Sequence, residues 1–404
     1  MKWAVVRLWL LRGAIVVPSL AASGGLLLFL TLYPKSLSPD HPLETPAVLI
    51  YRVVFLLVAP VRLLASGVFP ALDHRWHMNS HIASCIGTPV LFAILIGGIV
   101  WFLRLRRGKK RQDSNAEASP TRRAFLTKGV VGLAGCGAAG VALDSVVFAP
   151  QRVRVVEYAI PIQDLPPALD GLRVIQLADT HYGTYTDMAF LKHVVEKANA
   201  LEPDIYVLTG DYVQQARDRV EAGVHVFARL ESRFGAVGVL GNHDHWESAP
   251  RSRAAFADIG IPLVDNGRRF LTRDGLNEDA REDAICVGGV GDFWEDDVLF
   301  NEALANVPDS IPRIVLCHNP DVAEHMDDAP RVDLLCCGHT HGGQVHLPMR
   351  GAPIVPSRFG QKYLGGVVQG PKCRVMVSRG IGMAYLPIRF NVPPEIVLAT
   401  LKRA

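Results

Sequence analysis

An α/β fold preceded by N-terminal transmembrane helices is what the sequence predicts, and three observations carry that reading. Apolar residues of the first hundred positions gather in long uncharged runs of membrane-spanning length. After residue 150, short apolar runs of strand length alternate with stretches of helical spacing. Five of those short runs end in a segment holding aspartate, asparagine or histidine, and in open α/β sheets ligand sites lie beyond the carboxyl ends of the strands.

The 404-residue chain is 49% hydrophobic, with a mean hydropathy of +0.20. That excess is concentrated in residues 1–112, a membrane region with two or three hydrophobic helices. Residues 13–33 and 82–103 carry no charge, whereas 47–69 is interrupted by Arg52 and Arg62. Lys2, Arg7 and Arg12 favour a cytoplasmic N-terminus, and Arg104, Arg106, Arg107, Lys109, Lys110 and Arg111 form a second cytoplasmic cluster. Two crossings satisfy both ends and three do not, so 47–69 reads as interfacial or re-entrant, its arginines snorkelling to the headgroups. Because that basic cluster adjoins a membrane segment, it is a topology signal, and no nucleic-acid partner is expected. The formal net charge of +3 adds nothing to this.

Residues 113–150 read as a linker followed by a signal or anchor. QDSNAEAS, at 112–119, is polar and aperiodic. Thr121-Arg122-Arg123-Ala124-Phe125-Leu126 and the Gly/Ala-rich run after it resemble a twin-arginine export signal, which would make the export machinery a partner. An ordinary basic flank before another membrane helix is the alternative, and both place the following chain outside, in the periplasm. Should 129–149 not span, the domain stays in the cytoplasm. Cys136 lies in a lipoprotein-like box too close to Lys128, and Pro150 would block cleavage after Ala149, so a retained anchor is expected. His74, His77 and His81 have helix-compatible spacing but read as loop histidines. The seven cysteines show no framework spacing and read as small buried hydrophobes.

In residues 151–404 the elements follow in order. LRVIQL, at 172–177, precedes Asp179 and His181. A helical stretch at 187–200 leads to the run 205–208, before Gly210-Asp211. A second helical stretch, 217–231, leads to the run 236–240, before Gly241-Asn242-His243-Asp244. RIVLC, at 313–317, precedes His318. LLCC, at 334–337, precedes Gly338-His339-Thr340-His341-Gly342-Gly343-Gln344, whose two imidazoles alternate onto one side of the chain. About 250 residues suffice for one such core.

These blocks, D-x-H, G-D, G-N-H-D, H and G-H-x-H in that order, resemble the calcineurin-like metallophosphoesterase superfamily. The GHTHGGQ form, GVGD at 289–292 and PIRFNVPPEI at 387–396 are similar to its transmembrane or twin-arginine branch, which includes UDP-2,3-diacylglucosamine hydrolases. The resemblance implies an αββα sandwich holding two divalent metal ions. Asp179, His181, Asp211 and His341 would bind the first, and Asp211, Asn242, His318 and His339 the second, with Asp211 bridging. Imidazole and amide ligands suit Mn, Fe or Zn. The implied chemistry is attack on a phosphodiester, phosphomonoester or pyrophosphate by a water that two cations share and deprotonate. His243 would protonate the leaving oxygen, and Asp244 would hold the His243 ring. His245 has no place in the pattern. Arg379 and Arg389 are candidates to meet a substrate phosphate.

The expected function is therefore a membrane-anchored phosphohydrolase, its substrate a phosphate ester or a lipid-linked pyrophosphate such as UDP-2,3-diacylglucosamine. A catalytically silent metal-binding sensor or scaffold is the competing class, disfavoured because none of the ligand positions is lost.

Overall fold

The computed structural model describes residues 143–404, with Gly137, Gly140 and Val141. The spans expected at 13–33, 47–69 and 82–103, the basic cluster, the arginine pair and the histidines at 74–81 lie outside the described residues. Among the described residues no helix is long and apolar enough to cross a membrane.

The chain enters through an irregular helical turn, Asp144–Phe148, and a 3-10 turn, Ala149–Gln151. Val146, Ala149 and Pro150 are buried, and the Ser145 carbonyl accepts the Arg389 main-chain N–H at 2.9 Å. The end of the stretch expected to be an anchor thus packs as part of the globular fold.

One sheet contains β1 (Arg154–Ile162), β2 (Arg173–Leu177), β4 (Ile205–Thr209), β6 (Ala236–Val239) and β14 (Glu395–Arg403), in the order β1-β14-β2-β4-β6. The other orders as β12-β13-β11-β10-β9-β7-β8, from β7 (Gly267–Thr272), β8 (Gly275–Asn277), β9 (Ile285–Gly289), β10 (Arg313–Leu316), β11 (Leu334–Cys337), β12 (Gly366–Gln369) and β13 (Arg374–Val377). Strands β3 (Tyr182–Gly183) and β5 (Val213–Gln214) form a separate small pair. In the first sheet β2, β4 and β6 run parallel, as do β9, β10, β11 and β13 in the second. Their carboxyl ends therefore gather at one edge of each sheet.

Alternation along the strands explains the layers, because successive side chains of a strand point to opposite faces. Val174, Val207, Ile314, Leu316, Leu334 and Cys336 share one core between the sheets. Their neighbours Ile175, Tyr206 and Leu208 turn outward to meet Leu191, Val194, Val224 and Phe256 of the first helical layer. Val315, Cys317, Leu335 and Cys337 turn the other way, onto Phe300, Leu304, Val322 and Ala323. Helical layer, sheet, sheet, helical layer is the αββα order that the resemblance implied. The described cysteines are all buried and free, as their spacing suggested.

Helix α1 (Met188–Asn199) starts where Asp187 accepts the Phe190 N–H at 2.8 Å, within the stretch expected to be helical. The second helical stretch is broken up: only Val220–His225, α2, is α-helical, between 3-10 turns at Arg217–Arg219 and Val226–Arg229. Three valines and Gly223 give this segment weak helix propensity. Gly223 is needed there because a Cβ would come within 2.5 Å of Val213 Cγ1. Helix α3 (Asn242–Asp258) is interrupted at Ser248, just before Pro250.

Candidate metal centre

Each of the five motif strands delivers its polar residues immediately past its carboxyl end. Asp179 and His181 follow β2, Asp211 follows β4, Asn242 and His243 open α3 after β6, His318 follows β10, and His339 and His341 follow β11. All are buried. Asp179, His181, Asp211, His339 and His341 have φ between 44° and 70°, the left-handed region that costs non-glycine residues about 1 kcal/mol or more each. Five strained residues in one place are sustained only by a surrounding structure that fixes them.

Close approach of main chains is part of that support. A Cβ on Gly338 would lie 2.4 Å from Asp179 Oδ2, and one on Gly241 would lie 2.4 Å from Asp211 Oδ1. Any other residue at either position would push the carboxylate aside.

The ligand-type atoms form three groups, within each of which they lie at most 4.8 Å apart: Asp179 with His181 and His341, His181 with Asp211 and His243, and Asp211 with His318 and His339. Asp211 Oδ2 lies 3.0 Å from His318 Nε2 and 3.5 Å from His181 Nε2. His341 Nε2 lies 2.9 Å from His181 Nε2 and 3.3 Å from Asp179 Oδ1, while His339 Nδ1 lies 3.2 Å from His318 Nε2. Two imidazole nitrogens at such distances point their lone pairs or protons at a common centre. Both amide atoms of Asn242 are buried without a hydrogen-bond partner. Orphans of this kind cost about 1–3 kcal/mol each unless something else satisfies them. Imidazole nitrogens and an amide oxygen around two carboxylates are the donor set that borderline divalent cations take, so these residues fit a metal.

Electrostatics favour a neutral ring at three of the four candidate imidazole ligands. Burial, then neighbouring imidazoles, holds His181 and His341 well below the ordinary histidine range and His339 at about 3, which leaves neutral rings with free lone pairs. Burial pushes Asp211 upward, but the charges of His318 and His243 outweigh it and hold the carboxyl well below the usual range. His318 is displaced the other way, to about 10, because Asp211 outweighs the effect of burial.

The remaining expected residues fall out differently. Asp244, expected to hold the His243 ring, has both carboxylate oxygens engaged by main-chain N–H groups: Gly241 at 2.9 Å, Asp211 at 2.8 Å and Tyr212 at 2.9 Å. It ties the β4 turn to the start of α3. The His243 N–H donates to Asp211 Oδ1 at 2.8 Å, which sets the positive end of α3 against that carboxylate. Arg389 is fully buried, its guanidinium donating to the carbonyls of Arg379, Gly380, Gly382 and Val392, so it meets no substrate phosphate. Arg379 is paired with Glu395 at 3.1 Å. His245 faces Asp296 at 4.0 Å.

An aromatic rim was not foreseen. Trp246 packs 4.5 Å from the His243 ring, Trp294 stands edge-on 4.4 Å from His339, and Tyr385 lies 5.9 Å from His243. Trp246 Nε1 donates to Glu295 at 2.8 Å, joining two sides of the rim. The available signal was position: Trp246 stands two residues after Asp244, and Trp294 two after Asp292 of GVGD.

This fold, with acidic, amide and imidazole side chains brought to one point from two sheets, defines a metallohydrolase. A family model for calcineurin-like phosphoesterases matches residues 172–343. The chain is 32% identical over 292 residues to the uncharacterized metallophosphoesterase YkuE of Bacillus subtilis, spanning 70% of this chain and 98% of that protein. It is 31% identical over 279 residues to the UDP-2,3-diacylglucosamine pyrophosphatase LpxG of Chlamydia trachomatis, spanning 57% and 83%. It is 26% identical over 364 residues to a transmembrane protein with metallophosphoesterase domain from Danio rerio, spanning 87% and 80%. The chain belongs to the calcineurin-like metallophosphoesterases, a family of metal-dependent hydrolases.

Proposed function

We propose that the protein is a membrane-anchored phosphohydrolase whose centre holds two divalent cations, Mn, Fe or Zn. The observation that carries this reading is the sharing of Asp211 between the group it forms with His181 and His243 and the group it forms with His318 and His339. Asp179, His181, Asp211 and His341 would hold one cation and Asp211, Asn242, His318 and His339 the other. When bound, the cations supply Lewis acidity toward a phosphoryl oxygen and lower the pKa of water.

The chain's own residues do the rest. Asp211 places negative charge between the two positions and offsets their mutual repulsion. The α3 N-terminus orients Asp211 through the His243 N–H. His243 is the proton donor to the leaving oxygen, its ring set by Trp246 and Tyr385. Asp244 acts by positioning, since it fixes the main chain on either side of Asp211. The test is hydrolysis of bis-p-nitrophenyl phosphate by purified full-length protein. Turnover should require added Mn or Zn and vanish in Asp211→Ala; metal-independent turnover, or full turnover in that variant, overturns the reading.

For substrate we favour a lipid-linked phosphate or pyrophosphate, supported by the apolar N-terminal region and by the named activity of the Chlamydia relative. We place residues 151–404 outside the cytoplasmic membrane on the strength of Arg122-Arg123. Reporters fused after Ala404, one active only outside and one fluorescent only inside, test the placement. An inside result overturns it and makes UDP-2,3-diacylglucosamine the first substrate to try.

A further inference from the structure

From Leu334 to Pro394 the chain contains no Asp or Glu, while it carries Arg350, Arg358, Lys362, Lys372, Arg374, Arg379 and Arg389. Within that stretch, the loop at 345–360 leaves the metal-centre turn and exposes apolar side chains. Met349 is 104% exposed and Ile354 72%, with Leu347 and Phe359 also exposed. Surfaces of soluble proteins seldom present large aliphatic side chains this way without a partner.

The loop is held in shape. Leu347 and Gly351 exchange main-chain hydrogen bonds at 2.9 and 3.1 Å, which puts Met349 at the tip of a tight turn. Gln361 clamps Ala352 through both its N–H and its carbonyl. Asp321 takes the Ser357 hydroxyl and the Arg358 main-chain N–H. The base packs on the metal-centre turn itself, where a Cβ on Gly343 would meet Ala352 Cβ at 2.4 Å. Local order around an exposed apolar tip argues for a surface built to be covered.

Two observations say what covers it. Arg350 and Arg358 flank the apolar tip, and among the described residues neither guanidinium has a carboxylate partner, which suits an anionic surface. The loop also starts beside the end of the predicted membrane anchor. Ser145 bonds to Arg389, and the next residue, Phe390, bonds to Gln344 and His346 at the root of the loop. Exposed Leu143 and Phe148 add apolar surface on that incoming segment. We infer that Leu347, Met349, Ile354 and Phe359, with Arg350 and Arg358, form an interfacial finger that enters an anionic lipid bilayer and holds the metal centre beside the membrane surface. This deepens the lipid-linked substrate reading and rests on it only for the use to which the docked face is put.

Lipid-depth quenching tests it without turnover. The full chain, with Cys85 and Cys136 changed to serine, receives Met349→Cys or Ile354→Cys, or Glu278→Cys as a solvent-exposed control, and an NBD label. Each is reconstituted into vesicles of phosphatidylglycerol and phosphatidylethanolamine, with and without brominated acyl chains. Labels at 349 and 354 should show blue-shifted emission and bromolipid quenching about twofold or more deeper than at 278. Water-like emission without such quenching at both sites overturns the proposal. Blue-shifted emission that brominated lipid does not quench also overturns it, because protein then covers the finger. Metal-dependent hydrolysis of bis-p-nitrophenyl phosphate by the same samples, whose substitutions lie outside the centre, reads the catalytic proposal separately.

Discussion

His318 Nδ1 lies 2.8 Å from the carbonyl oxygen of Thr209, the last residue of β4, across the sandwich from its own strand. A carbonyl only accepts, so Nδ1 carries the proton and Nε2 is the atom turned to Asp211 Oδ2 at 3.0 Å. One sheet thus dictates which nitrogen the other sheet presents. His318→Ala loses both contacts. We expect one cation fewer per chain by elemental analysis and a fall in turnover of about three orders of magnitude, several kcal/mol of transition-state stabilisation.

Replacing His243 separates chemistry from metal binding. Its main-chain N–H, which is what touches Asp211, survives the change to Gln. Metal content should therefore match the wild type, while turnover falls roughly 10²–10⁴-fold, the usual worth of a positioned proton donor. With a nitrophenolate leaving group, which hardly needs a proton, the loss should be smaller than with an alkyl phosphodiester. Loss of metal in this variant would return His243 to the ligand set.

Asp244→Asn should behave as a change of scaffold. Its new amide N–H cannot accept, so of the three main-chain donors it serves, at least one is left buried and unpaired. A cost of about 1–3 kcal/mol follows, roughly 2–12 °C in the melting of the domain followed by tryptophan fluorescence. Because the Asp211 turn loosens, KM for the activating metal should rise as well.

Gly338→Ala is the sharpest steric test. Its single added carbon would sit 2.4 Å from Asp179 Oδ2, far inside contact distance. The carboxylate must move, and with it the His339 main-chain N–H that it accepts at 2.9 Å. Titration should show metal affinity lowered about 10–100-fold with the fold intact by far-UV circular dichroism.

Chelation should destabilise the domain. Asp179 and Asp211 are buried near each other, and burial raises Asp179 to about 7 with Asp211 adding to the rise. Saturating metal at about a hundred times its Kd contributes about 2.7 kcal/mol that chelator removes. The melting temperature should drop by roughly 5–11 °C on adding EDTA and recover when Mn or Zn is restored.

That the candidate ligands would converge was legible in the sequence because they sit at strand ends. An apolar run of five residues followed by Asp-x-His dictates where a side chain goes almost without tertiary information. Helix bounds were less legible: Arg217–Arg219 and Val226–Arg229 tighten to 3-10 turns because packing around Gly223 decides there, not periodicity. Asp244 was expected beside the His243 ring and Arg389 was a candidate for a substrate phosphate, since nothing local reveals that a carboxylate will meet three main-chain N–H groups or a guanidinium four carbonyls. The Trp246 and Trp294 rim was invisible for the same reason: its two sides are joined by Trp246 and Glu295, which lie 49 positions apart in the chain.

Strand β14 lies between β1 and β2, so the first sheet joins its earliest strands through one made more than 200 residues later. While the ribosome is still adding residues before Glu395, β1 has no neighbour in that sheet, and β2 offers a bare edge of unpaired amides. Asp179, made early, waits through some 200 residues of synthesis for a sheet on which to stand. Until β14 is made, a nascent chain must be shielded from pairing with others. A premature stop just upstream of Glu395 would spare every candidate metal ligand and still leave β1 and β2 without the strand between them.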